Sequence, residues 1–106
     1  MRFLIVQKTQ HPMPPEAALP LMKAMHEWLK RYRQDGTIEQ TWNFMGQAAG
    51  GGIMSAESHE ELDDILAENP LRPYSTVEVY PLTDIDRSFE KQIQVIEHMM
   101  QMMPAH

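Results

Sequence analysis

Apolar and polar positions along the chain follow two rhythms, and the changes of rhythm mark out seven elements. From Arg2 to Gln10 four consecutive apolar residues, Phe3 to Val6, predict a first strand buried on both faces. His11-Pro12-Met13-Pro14-Pro15 stops it, because proline removes a ladder donor and restrains its neighbour. From Pro15 to Asp35 the apolar positions Ala18, Leu21, Met22, Met25, Trp28, Leu29 and Tyr32 recur at helical spacing, which predicts a long amphipathic helix ended by Gly36. From Ile38 to Met45 the period drops to two, with Ile38, Gln40, Trp42 and Phe44 on one face of a second strand. A glycine-rich turn, Gly46 to Gly52, leads into a third strand at Ile53-Met54-Ser55. Ser58 with Glu61 forms a capping box for a short helix carrying Leu62, Ile65 and Leu66 inward, and Asn69-Pro70 ends it. Thr76 to Tyr80 alternates as a fourth strand closed by Pro81.

The last stretch, Asp84 to Met103, is helical again, with Ile85, Phe89, Ile93, Ile96, Met99, Met100 and Met103 in one apolar stripe. The order of elements predicts an α+β domain, a ferredoxin-like βαββαβ subunit over residues 1–83 with an extra C-terminal helix over 84–106. Such a sheet carries helices on one face only, so its other face calls for a second copy of the chain. The methionine-rich terminal helix poses the same demand and is expected to pack on the core or on a partner subunit.

Composition narrows the function classes. Hydrophobic residues are 42% and charged residues 23%, which suits a folded domain rather than a disordered chain. Nine Lys and Arg against fifteen Asp and Glu give a net charge of -6, and the basic residues are scattered, so nucleic acid is excluded as a partner. The absence of cysteine excludes disulfides, a thiol nucleophile and thiolate metal sites. No apolar run reaches the length of a membrane span or a signal core, and the expectation is a soluble cytoplasmic protein.

Several residues between Gly36 and Val79 form a familiar set. They are Gly36-Thr37, Trp42, Gly46, Ser58 with Glu61-Leu62, and above all Pro70-Leu71-Arg72-Pro73-Tyr74 followed by Val77-Glu78-Val79. The chain so resembles muconolactone isomerase and its relatives in the dimeric α+β barrel superfamily, with the helix after Asp84 extending past the family's usual end. The resemblance implies a barrel-forming homodimer or larger homo-oligomer, a small-molecule pocket between sheet and helices, and a cofactor-free isomerisation of an unsaturated lactone or acid by proton transfer. Fold siblings include cofactor-independent monooxygenases and cyclases acting on polyketide-like substrates, and non-catalytic ligand-binding or oligomerisation modules.

Moving a double bond beside a lactone carbonyl needs a base titrating near neutral pH, a donor for the developing enolate oxygen and a dry pocket. His26, on the flank of the first helix shared with Met22 and Leu29, is a candidate base or shuttle; the alternative is a boundary histidine at the solvent edge. Glu78 is the second proton-transfer candidate if its face of the fourth strand is covered, and a solvated or ion-paired strand residue if it is open. Tyr74 could donate to a carbonyl from the pocket rim, or simply pack. Gln40 and Trp42 could offer an amide and an aromatic wall, although core packing is the preferred reading for Trp42. His11 could join the site at the edge where Tyr74 enters the last strand. A larger aromatic pocket, as a monooxygenase or cyclase would need, would draw on Trp28, Trp42 and Phe44. His59, His98 and His106 have no metal-binding spacing, so no metal is expected, and Gly50-Gly51-Gly52 lacks the Lys-Ser/Thr and helix of a phosphate loop.

Overall fold

The structure is a computed structural model and describes residues 1–104. His106, one of the histidines read above as unsuited to metal binding, lies outside the described residues. The elements run β1 (Arg2–Thr9), α1 (Pro15–Gln34), β2 (Ile38–Asn43), β3 (Ala49–Ser55), α2 (His59–Ala67), β4 (Ser75–Leu82) and α3 (Ile85–Gln101), with a 3-10 turn at Arg72–Tyr74 before β4. The strands form one sheet in the order β2-β3-β1-β4, antiparallel throughout. This is the expected α+β, ferredoxin-like subunit followed by an extra helix.

Local chemistry explains the element ends. Gly36 takes a φ of 85° just beyond α1, a left-handed conformation that other residues adopt only under strain. Ser58 Oγ accepts from the Glu61 backbone N–H at 3.1 Å, so Ser58 caps α2 as expected, and Glu61 Oε2 reaches back to accept from the N–H of Glu57, the residue before the cap, at 3.1 Å. Asp84 Oδ2 accepts from the Arg87 N–H at 2.9 Å and opens α3 in the same way.

The helices α1 and α2 cover one face of the sheet. Phe3 and Ile5 of β1, Met54 of β3 and Ile38 of β2 point into that layer, where they meet Trp28, Tyr32, Leu62 and Leu66. Leu4 and Val6 point the other way and are half-buried, so β1 is not buried on both faces as its apolar run suggests. The cause is architectural, since nothing else in the described chain lies over that second face. β3 starts at Ala49 and takes the glycine run into the sheet rather than leaving it in the turn, and β4 continues through Pro81 to Leu82. Proline is tolerated there because β4 is an edge strand.

Strand β2 departs most from its pattern. A register shift between Ile38 and Gln40 sends Ile38 to the helix side, while Gln40 and Trp42 pair with Ile53 and Gly51 on the open face. A bulge exchanges the faces on its two sides, so strict alternation across it misassigns half the strand. Trp42 is therefore 54% exposed instead of part of the core.

Helix α3 does not pack on the core. It has no buried residue and no extensive contact with another element. The molecule measures 73 × 28 × 24 Å, and its radius of gyration of 19.6 Å well exceeds the roughly 13 Å of a compact chain this long, because α3 projects from the body. Among the described residues, no helix is long and apolar enough to cross a membrane.

Tyr32 ties the two covering helices together. Its ring packs edge-on against Trp28 at 5.1 Å, and its hydroxyl donates to Glu68 Oε2 at 2.6 Å beyond the end of α2. That hydrogen bond, with burial adding to it, raises the phenol above its ordinary pKa of 10.0. A raised folded-state value means the contribution is complete below the unfolded pKa and disappears as pH climbs through the folded one. Tyr32→Phe is expected to lower stability by about 1 kcal/mol at neutral pH. It should also flatten the alkaline arm of a plot of urea midpoint against pH, and superimposable plots for the two proteins would show that the hydroxyl contributes nothing.

Candidate active site

Between α1 and the helix-facing side of β2 and β3 lies a cavity of about 580 Å³, within the range of small-molecule sites. Its floor is open because Gly50 and Gly52 occupy the inward positions of β3, opposite Gln7 and Ile5 of β1. At Gly52 a Cβ would meet the Gln40 carbonyl oxygen and come within 3.0 Å of Thr41 Cα, so the close approach of β2 and β3 requires glycine there. Met22, Met25, Leu29 and Trp28 form the wall on α1, with Met13 and Met54 also lining the space. This cleft holds the first half of α1 off the sheet, which is why Met22 remains 51% exposed although its position belongs to the apolar stripe.

The polar lining is almost free of charge. Among the described residues no Asp, Glu, Lys or Arg borders the cavity, and His26 is the one histidine in its lining. At one end, buried Asn69 donates from Nδ2 to Gln7 Oε1 at 2.7 Å and accepts the Leu71 N–H at 2.9 Å. Gln7 in turn donates to Ser75 Oγ at 3.1 Å. These amides largely satisfy each other, so they stiffen the end wall and bind β1 to the connection before β4. Trp28 is different: its ring lines the cavity, and its indole Nε1 is buried with no hydrogen-bond partner among the described residues.

The predicted residues divide between the two sides of the sheet. His26 and Trp28 line the cavity, and Trp42 borders it from the open face; Gln40 and Phe44 do not line it. His11 and Tyr74 lie together as expected, since the Gln10 and His11 N–H groups both donate to the Tyr74 carbonyl at 2.8 and 3.0 Å, yet neither lines the cavity. Glu78 stands opposite Val6 on the open face, where its carboxylate accepts the Tyr80 hydroxyl. That bond raises the Tyr80 phenol above its ordinary value. His26 and Glu78 therefore lie on opposite faces of the sheet and do not meet within one chain, and the face that carries Glu78 is open among the described residues.

The sequence model of the muconolactone delta-isomerase family matches residues 1–87. The chain belongs to this family. The muconolactone delta-isomerase of Rhodococcus opacus is 38% identical over 58 residues, 51% of this chain and 62% of that protein, so the match spans under two thirds of the relative's length. The protein of the same name from Cupriavidus pinatubonensis is 29% identical over 68% of this chain and 78% of its own. A muconolactone isomerase crystal structure superposes with a TM-score of 0.74 at 30% identity, covering 79% of this chain and 90% of that one. A 5-chloro-2-hydroxyhydroquinone dehydrochlorinase from Burkholderia phenoliruptrix, solved with 2,5-dihydroxybenzoquinone, superposes at 0.65 with 18% identity, a likeness of fold alone.

Sequence patterns missed much of the lining in this family member. Gln7 in an otherwise apolar strand and Asn69 at a helix end are the visible signals, while Met13, Met25 and Met54 carry none that separates them from core residues. Two stability tests follow from the geometry. Asn69→Ala should cost about 1–3 kcal/mol by orphaning the Gln7 amide and the Leu71 N–H. Gly52→Ala should cost a similar amount, about 1–3 kcal/mol, by pushing β2 away from β3. Unchanged urea midpoints would contradict the two structural roles.

Proposed function

We propose that this chain is a cofactor-free isomerase of the muconolactone isomerase type, moving a carbon–carbon double bond in a small unsaturated lactone or acid. The observation that carries the reading is the largely apolar cavity of a muconolactone delta-isomerase family member, with the His26 imidazole in its lining.

Unprotonated His26 takes a proton from the carbon next to the conjugated double bond. The released C–H pair forms the new double bond, and the old π electrons move onto the carbonyl oxygen as a dienolate. The imidazolium then returns the proton to the far carbon as the carbonyl re-forms, so the formula is unchanged and no oxidant or reductant is consumed. The Trp28 indole N–H, unpartnered in the wall, is the donor assigned to the developing oxygen charge. Methionine and leucine side chains give these groups an apolar wall, although His26 itself keeps an exposed edge. The cysteine-free chain suits a reducing compartment, and we place the reaction in the cytoplasm.

The test is turnover and deuterium incorporation on muconolactone, followed by NMR in deuterated water. His26→Ala should lower kcat by about 100-fold or more, and Trp28→Phe by about 10-fold with the wall preserved. Glu78→Gln, on the other face, should stay within about two-fold of the native rate. Native protein that neither exchanges nor converts the lactone would sink the reaction, while native-like turnover by His26→Ala would remove the histidine from it.

A further inference from the structure

The family match ends at Arg87, within the first turn of α3, so nearly all of this helix is an addition to the shared fold. Six of its apolar side chains, Ile85, Phe89, Ile93, Ile96, Met99 and Met100, are each 51–67% exposed. At about 100° per residue they fall within about a third of the helix circumference, one continuous stripe. A continuous apolar stripe of this length, left open to solvent on a helix that is otherwise largely polar, is the kind of patch that an interface covers.

The stripe also fits its own reverse. Phe89 and Met99 are equidistant from Gln94 in sequence, so a twofold axis near the middle of the helix places aromatic against thioether on both sides of it. The opposite side of the helix does not suit a membrane surface, because Asp84, Asp86, Glu90 and Glu97 outnumber Arg87 and Lys91. We propose that α3 is an assembly helix whose apolar stripe is covered by α3 of a second copy of this chain, the two helices running antiparallel.

The assembly state of the full chain, measured by sedimentation at micromolar concentration, tests this directly. Full-length protein should be a dimer or larger, and Ile96→Glu should reduce the mass to about half or less, with circular dichroism confirming the fold. Because the chain has no cysteine, engineered thiols report direction. A mixture of Phe89→Cys and Met99→Cys chains should form disulfide dimers several-fold faster than either variant alone. A monomeric full chain overturns the proposal, and its co-flotation with phosphatidylcholine vesicles would assign the stripe to lipid instead. An Ile96→Glu protein that keeps its mass, or single variants that cross-link as fast as the mixture, overturns it equally.

Discussion

The structure depends on a four-stranded antiparallel sheet that one chain covers on one face only. Burial of Phe3, Ile5, Ile38 and Met54 under α1 and α2 supplies the apolar core, and the same asymmetry leaves Leu4, Val6, Trp42 and Tyr80 facing outward. The cavity exists because that covering is incomplete. Trp28 and Tyr32 seat the second half of α1 on the sheet, while the glycines of β3 supply no side chains to meet its first half.

Where a group lies relative to the sheet decides what chemistry it can join. His26 and Trp28 both line the cavity on the helix side of the sheet, the imidazole at its exposed edge and the indole buried. Glu78 is close to the core in sequence, between Val77 and Val79, but one strand position places a side chain on the opposite face. Its hydrogen bond with Tyr80 belongs to the outward surface. The Gln7–Asn69 amide pair illustrates the converse, because polar groups that satisfy one another inside the cavity wall build shape rather than reactivity.

The methionines divide along the same lines. Met13, Met22, Met25 and Met54 line the cavity, where an unbranched thioether adapts to an apolar ligand, and Met99 and Met100 lie on the exposed stripe of α3. One residue type thus serves two surfaces that both require apolar contact without a fixed shape. The family fold accounts for the first surface, and the second lies beyond it.

Much of the fold was legible in the sequence because short-range terms govern it. The capping pair Ser58 and Glu61, the helical recurrence of Trp28 and Tyr32, Gly36 after the first helix, and Asn69-Pro70 after the second each act within a few residues, and each marked its element or its end. His26 and Trp28 were legible as candidates for the same reason. Tertiary structure alone decided the facing of Gln40 and Trp42, since a bulge shows only when β2 is paired with β3. It also decided that Gly50 and Gly52 form a cavity floor, that Gln7 meets Asn69, and that a sheet lies between His26 and Glu78. Those outcomes depend on the register between strands distant in sequence, and a one-residue change in register moves a side chain from one face to the other.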